Sequence, residues 1–306
     1  MPAATNPTFT LGSLSFNAAM TKARNFYKIE NTDDLWNAPA TRKSDTPLQG
    51  MHGTDDSLTF YGPRTIAVEG ELHADSPSVR VTMEQAMRKQ LALPADQDYA
   101  TRDGYQLLQF TDEDGVAKQI YAKCIDGPFF KRMKERMEWA RSFRFTLYAK
   151  DPTIYSQTLS TANGAETVVG TNFSVIQGVS PSVPFSLIQT TADTLTATNA
   201  GIYQTAPLII VSGPTQSPAV KNVTTGKTMD FTGLTLLSGE TLEIDVAAST
   251  ITKVSSGVRT DASGYLNTAI SNWIYLYAGA NEFTLIDSSP DAIVAQLEIR
   301  WRNAWM

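Results

Sequence analysis

The residues able to do chemistry are few and poorly placed for it. The chain has two histidines, His52 and His73, and one cysteine, Cys124. Neither histidine has a second at i+2 or i+4, so a zinc-type centre would need several ligands from distant segments. Cys124 ends an alternating run with no activating motif beside it, which reads as a buried, inert thiol. TTGKT at Thr224–Thr228 looks like the end of a phosphate loop. The full pattern needs glycine at 221, where Lys221 stands, and the flanks read as a hairpin rather than a helix. TDEDG at Thr111–Gly115 lacks the later glutamate of a calcium loop and reads as a turn. Glu243, Asp245, Glu282 and Glu298 show no spacing that would set a glycosidase pair about 5 to 9.5 Å apart. Two glycosylation sequons, at Asn172 and Asn222, matter only in a secretory route, and the start MPAATNPTFTLGS shows no signal peptide. No catalytic, cofactor or metal residue is assigned, and no enzyme activity is expected.

Two clusters suit binding instead. Lys131, Arg132, Lys134, Arg136, Arg141 and Arg144, offset by Glu135 and Glu138, form the one basic stripe. It suits a polyanion, or a solvated strand face or subunit contact. Trp273, Tyr275 and Tyr277 share one face of an expected strand, and Trp301 and Trp305 follow near the end. These five aromatics are the candidate glycan-stacking residues, or else core and interface anchors. Ile274 and Leu276 between them are apolar too, so the strand is expected to be covered on both faces.

The elements that must position these residues divide into two halves. The chain has 306 residues and a net charge of −6, with 25 basic and 31 acidic residues. Residues 1–152 hold 19 of the bases and 20 of the acids, and residues 153–306 only 6 and 11. The second half fills its polar positions with Thr, Ser, Asn and Gly, a composition of strands and tight turns. A boundary is therefore expected near KDPTIYS, giving domains 1–152 and 153–306, with polar, Thr-rich residues 1–60 as an arm or loop. In the first domain, Thr82 and Gln85 suggest a capping box opening a helix whose stripe is Met83, Met87 and Leu91, stopped by Pro94. RTIAVEGEL alternates as a strand, and an Asp114-Gly115 turn joins two strands on either side. Alternate apolar positions from Phe129 to Leu147 predict one long strand with a bulge near Arg141. After residue 153 many short strands are separated by turns, which predicts a sandwich.

In order, RFTLYAKDPTIYS (Arg144–Ser156), NAG (Asn199–Gly201), APLIIVSGP (Ala206–Pro214), SPAVKNVTTGKTMDF, LLSGETLEIDV, NWIYLYAGANEF and EIRWRNAW resemble the distal tail proteins of long-tailed, siphovirus-type phages. The resemblance implies a mainly β protein: an N-terminal β-sheet domain with one helix, and a galectin-like C-terminal β-sandwich. It implies a homo-hexameric ring at the tail tip or baseplate, joining the tail tube protein to the tail-tip hub. The ring would dock receptor-binding or accessory baseplate proteins, and phage DNA would pass through it without sequence-specific binding. It implies a virion protein made in the bacterial host cytoplasm, with no cofactor. The alternative is a carbohydrate-binding adhesin acting through the C-terminal sandwich.

Overall fold

A computed structural model describes residues 8–17, 25–43, 46–47, 54–55, 58–93, 104–112, 115–133, 139–167, 194–287 and 294–306. His52, Pro94, Asp114, the Asn172 sequon, and Lys134 to Glu138 of the basic stripe lie outside the described residues. The chain divides into two compact units, Met1–Gln157 together with Met306, and Thr158–Trp305.

The first unit is a closed β-barrel. Its strands are β1 (Phe9–Leu11), β2 (Leu14–Phe16), β3 (Phe26–Asn31), β4 (Thr41–Arg42), β5 (Thr46–Pro47), β6 (Thr54–Asp55), β7 (Phe60–Tyr61), β8 (Arg64–His73), β9 (Gln106–Thr111), β10 (Ala117–Arg132), β11 (Arg141–Ala149) and β12 (Ile154–Ser156). The order β11-β8-β3-β2-β1-β9-β10 returns to β11 through a second pairing of β10. Closure is possible because β10 is long: Ala117–Ala122 pair with β9, and Lys123–Arg132 pair with β11. Gly115, at φ +78°, makes the expected β9–β10 turn. β8 alternates as its sequence does, burying Ile66, Val68 and Leu72. Gly70 sits among them because a Cβ there would lie 2.1 Å from the Lys28 carbonyl oxygen. Phe9, Phe16, Phe110 and Phe145 are almost fully buried, with Phe16 6.3 Å from Phe145 between ring centroids. Each such ring removed from water is worth about 1.5–3 kcal/mol.

Three expectations are corrected here. Residues 9–11, 14–16 and 26–31 are not an arm or loop, because they form β1, β2 and β3 of the barrel wall. β1 and β2, at three residues each, are too short to show alternation, and β3 buries only Tyr27, so the polar sequence hid them. The helix α2 spans Pro77–Leu91 and starts ahead of Thr82; Ser76 is its N-cap, accepting from Val79 N, with proline in its first turn. Thr82 lies inside it, its hydroxyl donating to the Ser78 carbonyl at 3.1 Å. Met87 and Leu91 are buried as the stripe requires, and Met83 only partly. The segment from Phe129 to Leu147 is two antiparallel strands, not one: Phe129 pairs with Arg144 and Arg132 with Arg141. Period-two alternation runs through both arms, so it could not reveal the reversal. The register shifts fall between Cys124 and Phe129, well before Arg141.

A single-turn helix α1 (Asp33–Trp36) leads from β3 into an excursion that ends where β8 begins. Two ribbons lie in it, β4 paired with β7 and β5 with β6.

The second unit is a two-sheet sandwich. Its strands are β13 (Ser160–Thr167), β14 (Leu195–Asn199), β15 (Leu208–Ser212), β16 (Thr215–Gln216), β17 (Ala219–Asn222), β18 (Thr228–Asp230), β19 (Thr235–Leu236), β20 (Thr241–Asp245), β21 (Thr250–Ser255), β22 (Val258–Asp261), β23 (Gly279–Ile286) and β24 (Val294–Trp301). One sheet runs β13-β24-β15-β20-β21-β22 and the other β14-β23-β17-β18. Ile209, Val211, Leu242, Ile244, Leu297 and Ile299 of the first meet Ala197, Val220, Met229, Phe283 and Leu285 of the second in one core. TTGKT is the β17–β18 hairpin turn, with Gly226 at φ +72°.

Candidate functional site

The aromatic segment is held by buried asparagines that sequence reasoning did not single out as functional. Asn199, at the end of β14, is 1% exposed. Its side-chain nitrogen donates to the Tyr203 and Leu276 carbonyls at 2.7 and 3.4 Å. Its oxygen accepts from Gly201 N and Ala304 N at 3.0 and 3.3 Å. Asn281, on β23, donates to the Tyr277 and Gly279 carbonyls at 2.9 and 3.0 Å and accepts from Tyr277 N at 3.1 Å. Asn222 donates to its oxygen at 3.4 Å. A buried amide satisfied on every side is favourable, whereas one left unmet costs about 1–3 kcal/mol per group. These are the asparagines of NAG, GAN and KNV, so the repeated turn motifs act as clamps on irregular backbone.

The segment they hold is extended but is not the expected strand; only Leu276 makes a β-bridge, to Thr205. Ile274 and Leu276 are fully buried, while Trp273 and Tyr275 pack against the core from partly exposed positions. Tyr277 is 42% exposed. The Lys227 ammonium lies 5.9 Å from the Tyr275 ring centroid and 5.6 Å from that of Tyr277, and donates to the Tyr277 hydroxyl at 3.4 Å. Trp301 is buried in the core, its indole N–H donating to Asn303 Oδ1 at 3.2 Å. Trp305 is half-buried. Tyr275 and Tyr277 are thus joined through Lys227, and Trp301 serves the sandwich core.

The described part of the basic stripe lies on the β10–β11 hairpin. Lys131, Arg132 and Arg144 are exposed. The Arg144 guanidinium sits 5.8 Å from the Phe129 ring centroid, and Arg88 of α2 sits 5.3 Å from that of Phe130. Arg141 turns away, with Nε 3.9 Å from Glu84. Cys124 is buried as expected, and burial pushes its thiol pKa up. His73 stacks on Phe26 at 4.6 Å and reaches Glu71 at 2.8 Å. Among the described residues no three His, Cys, Asp or Glu side chains group as a metal site. No described helix is long and apolar enough to cross a membrane. A shallow depression of about 240 Å³ on the six-stranded sheet is lined by polar Asn163, Ser212, Gln296 and Glu298.

A closed barrel carrying one long helix and a two-sheet sandwich built around clamped asparagines define a two-unit, mainly β protein with no catalytic constellation among the described residues. Residues 200–305 match the family model "Siphovirus-type tail component, C-terminal domain" (SPP1_Dit). The fold resembles the crystal structure of the SPP1 Dit (gp 19.1) protein, described as a paradigm of the hub adsorption apparatus in phages infecting Gram-positive bacteria. That likeness has a TM-score of 0.62 at 10% identity, over 96% of this chain and 98% of the other. The phage P2 baseplate in its activated conformation with Ca matches at TM-score 0.45 and 10% identity, over 96% and 98% of the two chains. Curated proteins gave no match.

Proposed function

We propose that this chain is a ring component of the phage tail tip, six copies of which join the tail tube protein to the tail-tip hub. The observation that carries the reading is the family match over residues 200–305, supported by a fold shared along nearly the whole chain with a hub adsorption protein. The barrel domain forms the ring around the DNA channel without reading sequence. The sandwich projects as the platform for receptor-binding or accessory baseplate proteins. The work is docking and symmetry matching in the virion, with no reaction and no cofactor, after synthesis in the bacterial cytoplasm. Lys227 over Tyr275 and Tyr277, and Trp301 in the core, suit packing better than sugar stacking, so the scaffold reading stands ahead of the adhesin. Native mass spectrometry of the full chain tests the ring. Six copies are expected; a monomer at every concentration, with and without tube protein, overturns it.

A further inference from the structure

The six-stranded sheet of the sandwich ends at β22, which pairs with β21 and, among the described residues, with no other strand. All of Val258–Asp261 is exposed, Val258 at 63%. Ala262 N donates to the Ile251 carbonyl at 3.0 Å, so the ladder bonds to β21 fall at Ala262, Thr260 and Val258. The N–H and C=O groups of Arg259 and Asp261 therefore point to the open side. The edge strand β18 of the four-stranded sheet is different, because the 267–272 segment covers it. The Thr228 and Asp230 carbonyls accept from Asn272 N and Asn267 N at 2.8 and 2.9 Å, and Asp230 N donates to Ser271 Oγ at 3.0 Å. Arg259 and Asp261 project from one face of β22. Arg259 Nη2 donates to Glu243, and the Arg259 side chain is still 61% exposed. Asp261 accepts from Ser263 N and Oγ at 2.9 and 3.0 Å, and these bonds hold its carboxyl below the usual carboxylate range.

We propose that β22 of one copy pairs antiparallel with β22 of a second copy, joining two six-stranded sheets edge to edge. The outward backbone groups fix the register. With Thr260 on the two-fold axis, Arg259 stands opposite the partner's Asp261, and each such pair exchanges both of its N–H···O bonds. The Arg259 guanidinium then faces the partner's Asp261 carboxylate, a cross-strand arrangement that favours pairing. A slip of one residue sets outward groups against inward ones. A slip of two sets arginine against arginine or aspartate against aspartate. Charged residues protect a sheet edge from most other strands, and here they leave one register open to a copy of the same strand. The contact is isologous and closes at two copies, so it lies outside the six-fold reading and does not depend on it.

The test uses the full chain carrying Thr260→Cys, the native Cys124 being buried. On the axis this residue meets its own copy in a non-hydrogen-bonded pair, with Cα atoms about 4.5 Å apart. Val258→Cys is the control: it is also exposed, but this register holds it about 14 Å from its copy, four steps of strand rise. Under mild oxidation Thr260→Cys should form the disulfide-linked dimer at least tenfold faster than Val258→Cys, as read on a denaturing gel. Thr260→Cys chains that also carry Arg259→Asp, or Asp261→Arg, should each link at least tenfold more slowly. An equimolar mixture of those two should recover the rate, because each then meets its complement. Equal rates for the two cysteines, no linked dimer from either, or linking indifferent to the charge changes overturns the pairing. Native mass spectrometry of the unmodified chain reads the ring separately, so six copies without this linking leave the ring reading intact.

Discussion

At the residue scale, Arg64 and Tyr27 each tie distant backbone together. Arg64 opens β8 and is 2% exposed. Its Nη1 donates to the carbonyls of Asp34 and Leu35 at 3.1 and 3.0 Å and to that of Asn37, while Nε donates to Pro152 at 3.2 Å. Nη2 is buried without a hydrogen-bond partner, and burial pulls the guanidinium pKa down. The bonds outweigh that burden because a charged donor contributes about 1.5–3 kcal/mol per bond. Arg64→Leu should therefore cost about 3–5 kcal/mol in urea unfolding. Arg64→Lys should recover less than half of that, since an ammonium lacks the planar fork. Tyr27 donates its hydroxyl to the Met83 carbonyl at 2.8 Å, and burial raises its pKa to about 12 from 10.0. The folded state thus holds the proton more tightly than the unfolded chain does. The stability this gives is fully present below pH 10 and is lost as pH rises towards 12. Alkaline titration of unfolding should show that slope, and Tyr27→Phe should remove it while costing about 1 kcal/mol at neutral pH for the lost bond.

At the scale of elements, regular patterns were legible in the sequence and long-range polar burial was not. Gly115 gave the β9–β10 turn, and Met87 and Leu91 gave the buried side of α2, because each signal lies within a few residues. Ser76-Pro77 is the stronger helix start, but it follows directly on the alternating β8 pattern, and Val79 and Val81 disguise the first turn as strand. The aromatic candidates were placed on an alternating strand because Trp273 to Tyr277 has the right period. What fixes that segment is Asn199 and Asn281, whose carbonyl partners include Leu276, 77 residues from Asn199. No local pattern announces such a partner. Asn199→Ala takes the acceptor from the Gly201 and Ala304 N–H groups and one donor from the Tyr203 and Leu276 carbonyls, the latter keeping Thr205 N. It should therefore lower stability by about 1–3 kcal/mol. Chemical denaturation of the full chain measures this, and tryptophan fluorescence should report the release of the segment bearing Trp273. An unchanged midpoint would mean that water replaces the amide on every side.

For the whole molecule, the sandwich has its own set of buried side chains. The sandwich cluster draws only on residues between 197 and 301. Residues 158–305 expressed alone should therefore unfold in one cooperative transition with a sharp near-ultraviolet dichroism signal. A gradual, featureless melt would show that this core depends on the rest of the chain. The Arg64 clamp has a further consequence, in terms of chain entropy. Its guanidinium closes a loop of about thirty residues back to Asp34 and another spanning 88 residues to Pro152. In a chain with one cysteine it is a non-covalent crosslink, and it sits where the excursion enters and leaves the barrel. Once the base of a loop is pinned, doubling its length costs only about 0.6 kcal/mol. The excursion can thus lengthen or shorten at little expense to the barrel, which frees its size and composition to follow whatever surface it meets.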